Sequence, residues 1–221
     1  LMITTSEIKI SVLVERSHGV EALRTVHETF GLDQVPAKVA EPSGQPTRAA
    51  STDELVKRLR GMESLFISGI TLDESQARVT LKGIPDTPGL AAQGFDEVAE
   101  YGVVVDMIVQ SVGNEGRANI SFTVPAADLA KSVAVAERIA EGLSGPRPTS
   151  SPRVAKLSVS GIGMRTHIAV ASRLFQSLAK AGINIQMINT SEMLVNVVVA
   201  GDKGQQALEA LRSEFADVML D

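Results

Sequence analysis

The chain has 221 residues, 44% of them hydrophobic, and carries 21 basic and 26 acidic residues for a formal charge of −5. This length accommodates one large or two small domains with a buried core. The acidic balance argues against a nucleic-acid partner, and the absence of cysteine excludes disulfides, thiolate metal sites and cysteine nucleophiles. No apolar run reaches the roughly 20 residues of a membrane span, so we expect no membrane partner and a cytoplasmic location.

Residues 1–33 predict a strand followed by a helix. Apolar residues alternate with other residues from Ile8 to Val14, which is the pattern of a half-buried strand. Helical spacing then runs from Gly19 to Phe30, and Gly31 is expected to end that helix. The chain therefore opens with the elements that would close a small domain.

Residues 34–61 are rich in proline, glycine, serine and threonine and carry no hydrophobic period over most of their length. We interpret them as an exposed linker with one short helix, which Ser51 or Thr52 would cap and which would run to Arg60. A strand is predicted over Ser64–Leu72, ending at Asp73-Glu74-Ser75. The predicted domains after the linker are residues 62–149 and 150–221.

The segment Ala77–Ser111 changes its hydrophobic period twice. Near-alternation over 78–84 predicts a strand, and a turn with two prolines and Gly89 stops it. Helical spacing follows until Gly102, after which the run 103–109 is rich in β-branched residues. A turn at 113–116, a strand over 118–124 and a helix over 126–142 complete the unit.

Two internal repeats indicate how the chain is organised. A shift of 185 positions lays residues 2–30 on residues 187–215 without a gap. Separately, Ala77–Ser111 recurs at Ala155–Ser191, and the second copy continues through a strand at 193–199 and a helix at 202–215. Each copy therefore has the order β-α-β-β-α.

This order predicts an α+β fold of the ferredoxin-like, split βαβ kind, with helices on one face of an antiparallel sheet. The fourth strand is clear in neither copy, and Pro146–Ser151 is a poor candidate because of its prolines. We expect Ser64–Leu72 to complete the sheet of the last domain.

The turn before the predicted second helix has the chemistry to bind a small amphoteric ligand. Amides of Leu90, Ala91 and Ala92 at the helix N-terminus favour a carboxylate, and Gly89 permits close approach of backbone. Asp86 offers a carboxylate to an ammonium group, and the side chain of Gln110, at the end of the next strand, can both donate and accept.

Plainer interpretations remain open. A Pro-x-x-Pro-Gly sequence is most often an ordinary strand-to-helix turn, and Asp86 is then only a cap. The pair Gly161 and Gly163 is a weak phosphate signal without a third glycine. The three histidines lack metal-ligand spacing, and methionines 107, 164 and 187 suit a core. We predict neither a catalytic residue nor a metal site.

Several motifs together resemble the regulatory region of bacterial aspartate kinases. They occur in that family's order and cover nearly all of 64–215; they are FISGI (66–70), GIPDTPG (83–89), VDMIVQ (105–110), ISFTVP (120–125), GIGMRTH (161–167) and GINI (182–185). The resemblance implies a tandem pair of ACT modules, small βαββαβ domains that bind amino acids. Residues 1–33 resemble the C-terminal part of one more such module.

The resemblance implies the same turn as the effector site, with Asn184 and Ile185 of the paired module closing the pocket. Further candidates implied by it are Met164, Ser191, Glu192, Ser6 and Glu7. The chain departs from the family at His167-Ile168-Ala169, where members often have His-Pro-Gly. A ligand at that second turn is therefore not expected.

The implied parent protein is an aspartate kinase whose catalytic domain, using ATP and Mg²⁺, is absent here, so the chain itself needs no cofactor. The implied role is feedback inhibition by lysine or threonine, with homo-oligomers formed through ACT pairing and with the kinase domain of the same chain as partner. Two alternatives stay open: a scaffold that binds nothing and serves oligomerisation, and the regulatory region of another ACT protein.

Overall fold

A computed structural model describes residues 2–6, 9–32, 66–112, 116–143, 145–162, 169–191 and 193–219. The strands in these ranges are β1 (Met2–Ser6), β2 (Lys9–Leu13), β3 (Phe66–Pro85), β4 (Ile108–Val112), β5 (Arg117–Pro125), β6 (Thr149–Ile162), β7 (Met187–Thr190) and β8 (Leu194–Ala200). The helices are α1 (Gly19–Thr29), α2 (Leu90–Glu100), α3 (Leu129–Gly142), α4 (Ala169–Lys180) and α5 (Gly204–Glu214).

The described strands form one antiparallel sheet in the order β2-β1-β4-β5-β3-β6-β8-β7. We call β3, α2, β4, β5 and α3 the first module, and β6, α4, β7, β8 and α5 the second module. Each has the β-α-β-β-α order that the repeats predicted, which confirms the α+β, ferredoxin-like fold. The two modules share the sheet through β3 and β6.

Strand β3 is a single element where the sequence predicted two. Its first part, Phe66–Asp73, pairs with β6 alone, whereas Gln76–Pro85 pairs with β5 and, as far as Thr80, also with β6. The predicted break at Asp73-Glu74-Ser75 is a bulge, in which Oδ1 of Asp73 accepts hydrogen bonds from the backbone N (2.8 Å) and Oγ (2.6 Å) of Ser75. The side chain satisfies the local backbone, so the strand continues past the interruption.

Two further predicted boundaries were wrong. Thr149–Ser151 does form a strand, paired with Arg78–Thr80, because Pro152 falls in a register shift where its missing N–H breaks no ladder bond. Strand β4 begins at Ile108 rather than at residue 103. The residues just before it are nevertheless tied to β5, through Asp106 N to Thr123 O and Thr123 N to Met107 O, each 3.0 Å.

Each module buries its own core between its helices and the sheet. In the first module the core includes an edge-to-face contact between Phe95 and Phe122, with ring centroids 5.8 Å apart. In the second module Leu174 and Leu178 of α4 and Phe215 pack against residues of the sheet, among them Ile67 and Ile70 from β3. The first part of β3 therefore supports the second module from outside it.

The face of the sheet away from the helices carries a third, smaller cluster. It consists of Met107, Val154, Met187 and Val198, with Val109 partly buried against it. Val154 and Val198 alternate along their strands with residues of the second module's core, which places them on the opposite face. This cluster joins residues of both modules.

The N-terminal segment has the predicted helix but two strands before it instead of one, and most of its large apolar side chains described after residue 9 are exposed. Strands β1 and β2 form a hairpin beside β4, through Thr4 and Val109. Helix α1 ends at Thr29, and Gly31, two residues later, has the positive φ (+59°) that suits the predicted helix stop. Val12 and Phe30 are 52% and 66% exposed, while their repeat counterparts Val197 and Phe215 are fully buried.

The predicted linker helix lies outside the described residues. The domain boundaries stay predictions.

Candidate functional site

The turn after β3 is held by hydrogen bonds to the start of β5. The backbone N of Gly83 donates to Oδ1 of Asn119 at 2.9 Å, and Nη1 of Arg117 donates to the carbonyl of Gly83 at 2.6 Å. The backbone N of Asp86 donates to the carbonyl of Gly116 at 2.8 Å. Because three bonds join the two strand ends, the position of Asp86 relative to β5 is fixed.

Gly89 lets the chain turn into α2. Its φ of +88° lies in the left-handed region that favours glycine, and the helix begins at Leu90. The backbone N of Leu90 already donates to the carbonyl of Thr87 at 3.3 Å. Of the three amides that the sequence predicted to be free, those of Ala91 and Ala92 have no acceptor among the described residues.

Gln110 and Asp86 lie together beside this helix end. Gln110 is only 4% exposed, and its Nε2 is 3.5 Å from Oδ1 of Asp86. The Oε1 of Gln110 is buried and has no hydrogen-bond donor within the described parts of the chain. Leaving a buried carbonyl oxygen without a donor is costly, so this oxygen is a candidate acceptor for a ligand or a water molecule.

These groups line one cleft of about 260 Å³, a volume that includes the part open to solvent. The lining combines polar groups with apolar side chains and does not include Ala92; the lining residues are Ile84, Pro85, Asp86, Thr87, Gly89, Leu90, Ala91, Gln110, Ala118 and Ile120. A carboxylate, an unpaired carbonyl and a helix N-terminus in one cleft match the ammonium and carboxylate of an amino acid.

Asn184 and Ile185 do not line this cleft. Asn184 is exposed, and Ile185 packs against the core of the second module. Their role as effector contacts stays a prediction.

Ser191 lies in the tight turn between β7 and β8. Its backbone N donates to the carbonyl of Leu194 at 2.8 Å, and its Oγ accepts from the backbone N of Leu194 at 3.1 Å. The geometry of Ser191 is that of a turn residue. Met164, Glu192 and Glu7 lie outside the described residues, as do 167 and 168 of the departing turn; of Ser6 only the backbone, in β1, is described.

Other sequence expectations concern metals and core residues. Met107 and Met187 are buried, at 2% and 5% exposure, as predicted for core residues. Within the described ranges no group of three or more His, Asp or Glu side chains is placed to hold a metal ion, and none of the helices there is both long and apolar enough to cross a membrane.

Sequence reasoning missed the residues that hold the site in place. Asn119 and Arg117 fix the turn, and Lys156 of the second module pairs with Asp106 just before β4. Asn119 and Arg117 sit in a strand of ordinary alternation, so no local signal marks them. Only the register between β3 and β5 brings them to Gly83.

The comparisons with known proteins agree on one family. The ACT domain model matches residues 1–30, 79–138 and 157–215. The aspartate kinase of Stutzerimonas stutzeri is 40% identical over 154 residues, which are 70% of this chain and 37% of that protein. The aspartokinase of Pseudomonas aeruginosa is 39% identical over the same shares. The chain belongs to the aspartokinase family.

Solved structures place the match in the regulatory part of aspartokinases. The regulatory subunit of aspartate kinase from Thermus flavus superposes with a TM-score of 0.64 at 34% identity, covering 68% of this chain and 99% of that one. Aspartate kinase from Synechocystis gives a TM-score of 0.77 at 30% identity, covering 97% of this chain and 34% of that one. The chain is thus an ACT-bearing regulatory region of an aspartokinase, and it spans about 37% of the length of its curated relatives.

Proposed function

We propose that this region senses lysine or threonine and carries feedback inhibition to an aspartokinase catalytic domain. The observation that supports it most is the buried side-chain amide of Gln110, whose Nε2 lies 3.5 Å from Oδ1 of Asp86 and whose Oε1 has no donor among the described residues. A ligand ammonium between these two oxygens would satisfy both of them, and its charge would be held by a charge-assisted bond. No group of the described chain does this in the absence of ligand.

In the proposed binding mode the effector carboxylate accepts hydrogen bonds from the amides of Ala91 and Ala92. The N-terminal end of α2 adds a favourable dipole. The effector side chain then runs along the apolar wall formed by Ile84, Ala118 and Ile120. Asn184 and Ile185 would reach the cleft only from a second copy, in the homo-oligomer that ACT pairing would form.

Inhibition then follows from linkage between two states of the whole enzyme. An effector that binds one arrangement of the regulatory region more tightly shifts the population toward it, and reciprocal coupling of roughly 1–3 kcal/mol is ordinary. In this proposal the region acts on an aspartokinase catalytic domain that uses ATP and Mg²⁺. The proposed location of the protein is cytoplasmic. This chain supplies the effector site.

The second module is better suited to a structural role. Its α4 buries Leu174 at the position where the repeat gives the first module Gly94. We therefore assign scaffolding to the second module and ligand binding to the first.

A thermal-shift screen of this chain against the twenty amino acids tests the proposal. Lysine or threonine should raise the unfolding temperature, because a ligand at about 100 times its dissociation constant stabilises by roughly 2.7 kcal/mol. No shift with any amino acid would contradict effector sensing. A shift only with amino acids other than these two would keep the site and overturn the assigned effectors.

A further inference from the structure

An ion pair joins the two modules on the helix-free face of the sheet. The Nζ of Lys156, on β6, lies 2.5 Å from Oδ2 of Asp106, two residues before β4. The Lys156 side chain is 14% exposed and that of Asp106 is 28% exposed. A partly buried charge pair interacts more strongly than a fully exposed one, and breaking it leaves one charge uncompensated.

The neighbours of this pair are apolar or already bonded. Lys156 lies on the same face of the sheet as the cluster of Met107, Val154, Met187 and Val198, and it is paired with Val198 of the neighbouring strand β8. On its other side Lys156 is paired with Asp73 of β3. The carboxylate of Asp73 already accepts hydrogen bonds from Ser75 and Gln76. Asp106 is therefore the carboxylate that Lys156 binds directly.

The internal repeat gives two equivalent places for such an ion pair, and in the described residues one of them has it. Asp106 corresponds to Gln186, because Met107-Ile108 matches Met187-Ile188, and Lys156 corresponds to Arg78, because Gly83 matches Gly161. Gln186 is uncharged and its buried Oε1 has no donor among the described residues, while Arg78 donates to Oγ of Ser151 at 3.1 Å. Among the described residues, only the segment that leads into β4, the strand of Gln110, is tied to the other module by charge.

Asp106 precedes Gln110 by four residues on nearly extended chain. Its backbone is fixed to Thr123 of β5, and its side chain is fixed to β6, so the start of β4 is held from two directions. Gln110 in turn is the buried residue that meets Asp86 in the cleft. A shift at Asp106 would move the amide of Gln110 relative to Asp86.

We propose that Lys156 of the second module is a positioning residue for the effector cleft of the first module. It acts through Asp106 on the placement of Gln110, while the lining of the cleft itself comes from the first module. This inference rests on the proposed function. It assigns the second module a direct part in ligand affinity, in addition to scaffolding.

Titration calorimetry with lysine and with threonine tests it on this chain. Lys156→Met and Asp106→Asn should each weaken binding at least about fivefold, the lower end of common coupling between sites. The double variant should be no weaker than the weaker single variant, because both changes break one interaction. Lys156→Arg keeps the charge and should bind nearly as the wild type does, and Lys131→Met, at an exposed lysine on α3, is the control for a lost charge.

Hydrogen exchange distinguishes positioning from a general loss of stability. In Lys156→Met the amides of 108–112 should exchange faster while those of β8 stay unchanged; equal acceleration in both strands contradicts the proposal. Wild-type affinity in Lys156→Met overturns the inference and leaves the proposed function standing. Absence of binding by the wild type itself overturns both. If Lys156→Met does not fold, Asp106→Asn, which keeps the size of the side chain, gives the same readouts.

Discussion

Gln110 and Asp86 lie together at the N-terminal end of α2, where Nε2 of Gln110 is 3.5 Å from Oδ1 of Asp86. The Oε1 of the same amide is buried and has no donor among the described residues. The contact is long for a hydrogen bond, so the two side chains are close without satisfying each other. An ammonium that reached both the carboxylate of Asp86 and Oε1 of Gln110 would be bound by two acceptors. This relationship is the basis of the predictions about the cleft.

Asp86→Ala should abolish the stabilisation by an amino-acid effector and leave the fold intact. The side chain is half-buried, and the hydrogen bond that fixes the turn comes from the backbone N of Asp86, which alanine keeps. Thermal shift with and without lysine or threonine measures the effect. Asp96→Ala, at an exposed position on α2, is the matched control. An unchanged shift in Asp86→Ala would mean that the site lies elsewhere.

Gln110→Leu should separate ligand binding from stability. Leucine is of similar size and removes a buried carbonyl that lacks a donor, so the free energy of unfolding should stay the same or rise by up to about 1 kcal/mol. Effector binding should fall at least about tenfold, since one of the two ammonium acceptors is lost. Urea unfolding and calorimetry measure the two quantities. A loss of stability without a loss of affinity would contradict this view of Gln110.

Gly89→Ala should destabilise the chain by about 1–2 kcal/mol through backbone strain alone. A Cβ at Gly89 meets no atom within 4 Å, so its cost comes from the φ of +88°. Gly142→Ala is the control, because it too meets no atom within 4 Å but lies in α3 without a positive φ. It should stabilise by about 0.5 kcal/mol. Equal urea midpoints for the two variants would show that the turn does not require glycine.

We expect the free energy of unfolding to fall in acid because of the Asp73 carboxyl. Burial alone would raise the pKa of its carboxyl, but hydrogen bonds from Ser75 and Gln76, with the charge of Lys156, outweigh this and lower the pKa below its ordinary value. A lowered folded-state pKa gives stability that is present above the unfolded-state pKa of about 3.9 and is lost as the pH falls through the folded-state value.

The free energies of unfolding of the wild type and of Asp73→Asn should therefore differ by a constant amount from pH 7 to about pH 5. The difference should shrink below about pH 4. Denaturant titrations across this range measure it, with Asp96→Asn as the exposed control. A difference that is the same at pH 2 and pH 7 would show that the carboxylate does not hold the bulge.

The sequence was sufficient for the order of elements, because hydrophobic period and repeats are local signals. The ends of α1 and α2, just before Gly31 and Gly102, and the left-handed turn at Gly89 follow from the positions of these glycines. The continuity of β3 could not be predicted, since Asp73 and Ser75 are typical turn residues and only pairing with two partners holds the strand together. The start of β6 was missed for the same reason, because Pro152 is harmless only in the observed register.

The candidate cleft was predicted in part. Asp86, Gly89 and Gln110 are brought together as expected, but the amide of Leu90 is already bonded to Thr87. That bond depends on the turn's actual backbone angles, which composition does not encode. The pairing of Asp106 with Lys156 joins residues 50 positions apart and depends on the shared sheet, so no local pattern indicates it.

Mapping of an added effector onto backbone amides by ¹H–¹⁵N NMR tests the central claim most directly. With lysine or threonine added to the wild-type chain, the largest shifts should appear at the amides of Ala91 and Ala92 and at the side-chain amide of Gln110. Shifts confined to the turn before α4 in the second module, or no shifts at saturating effector, would contradict the claim that the first module's cleft is the sensing site.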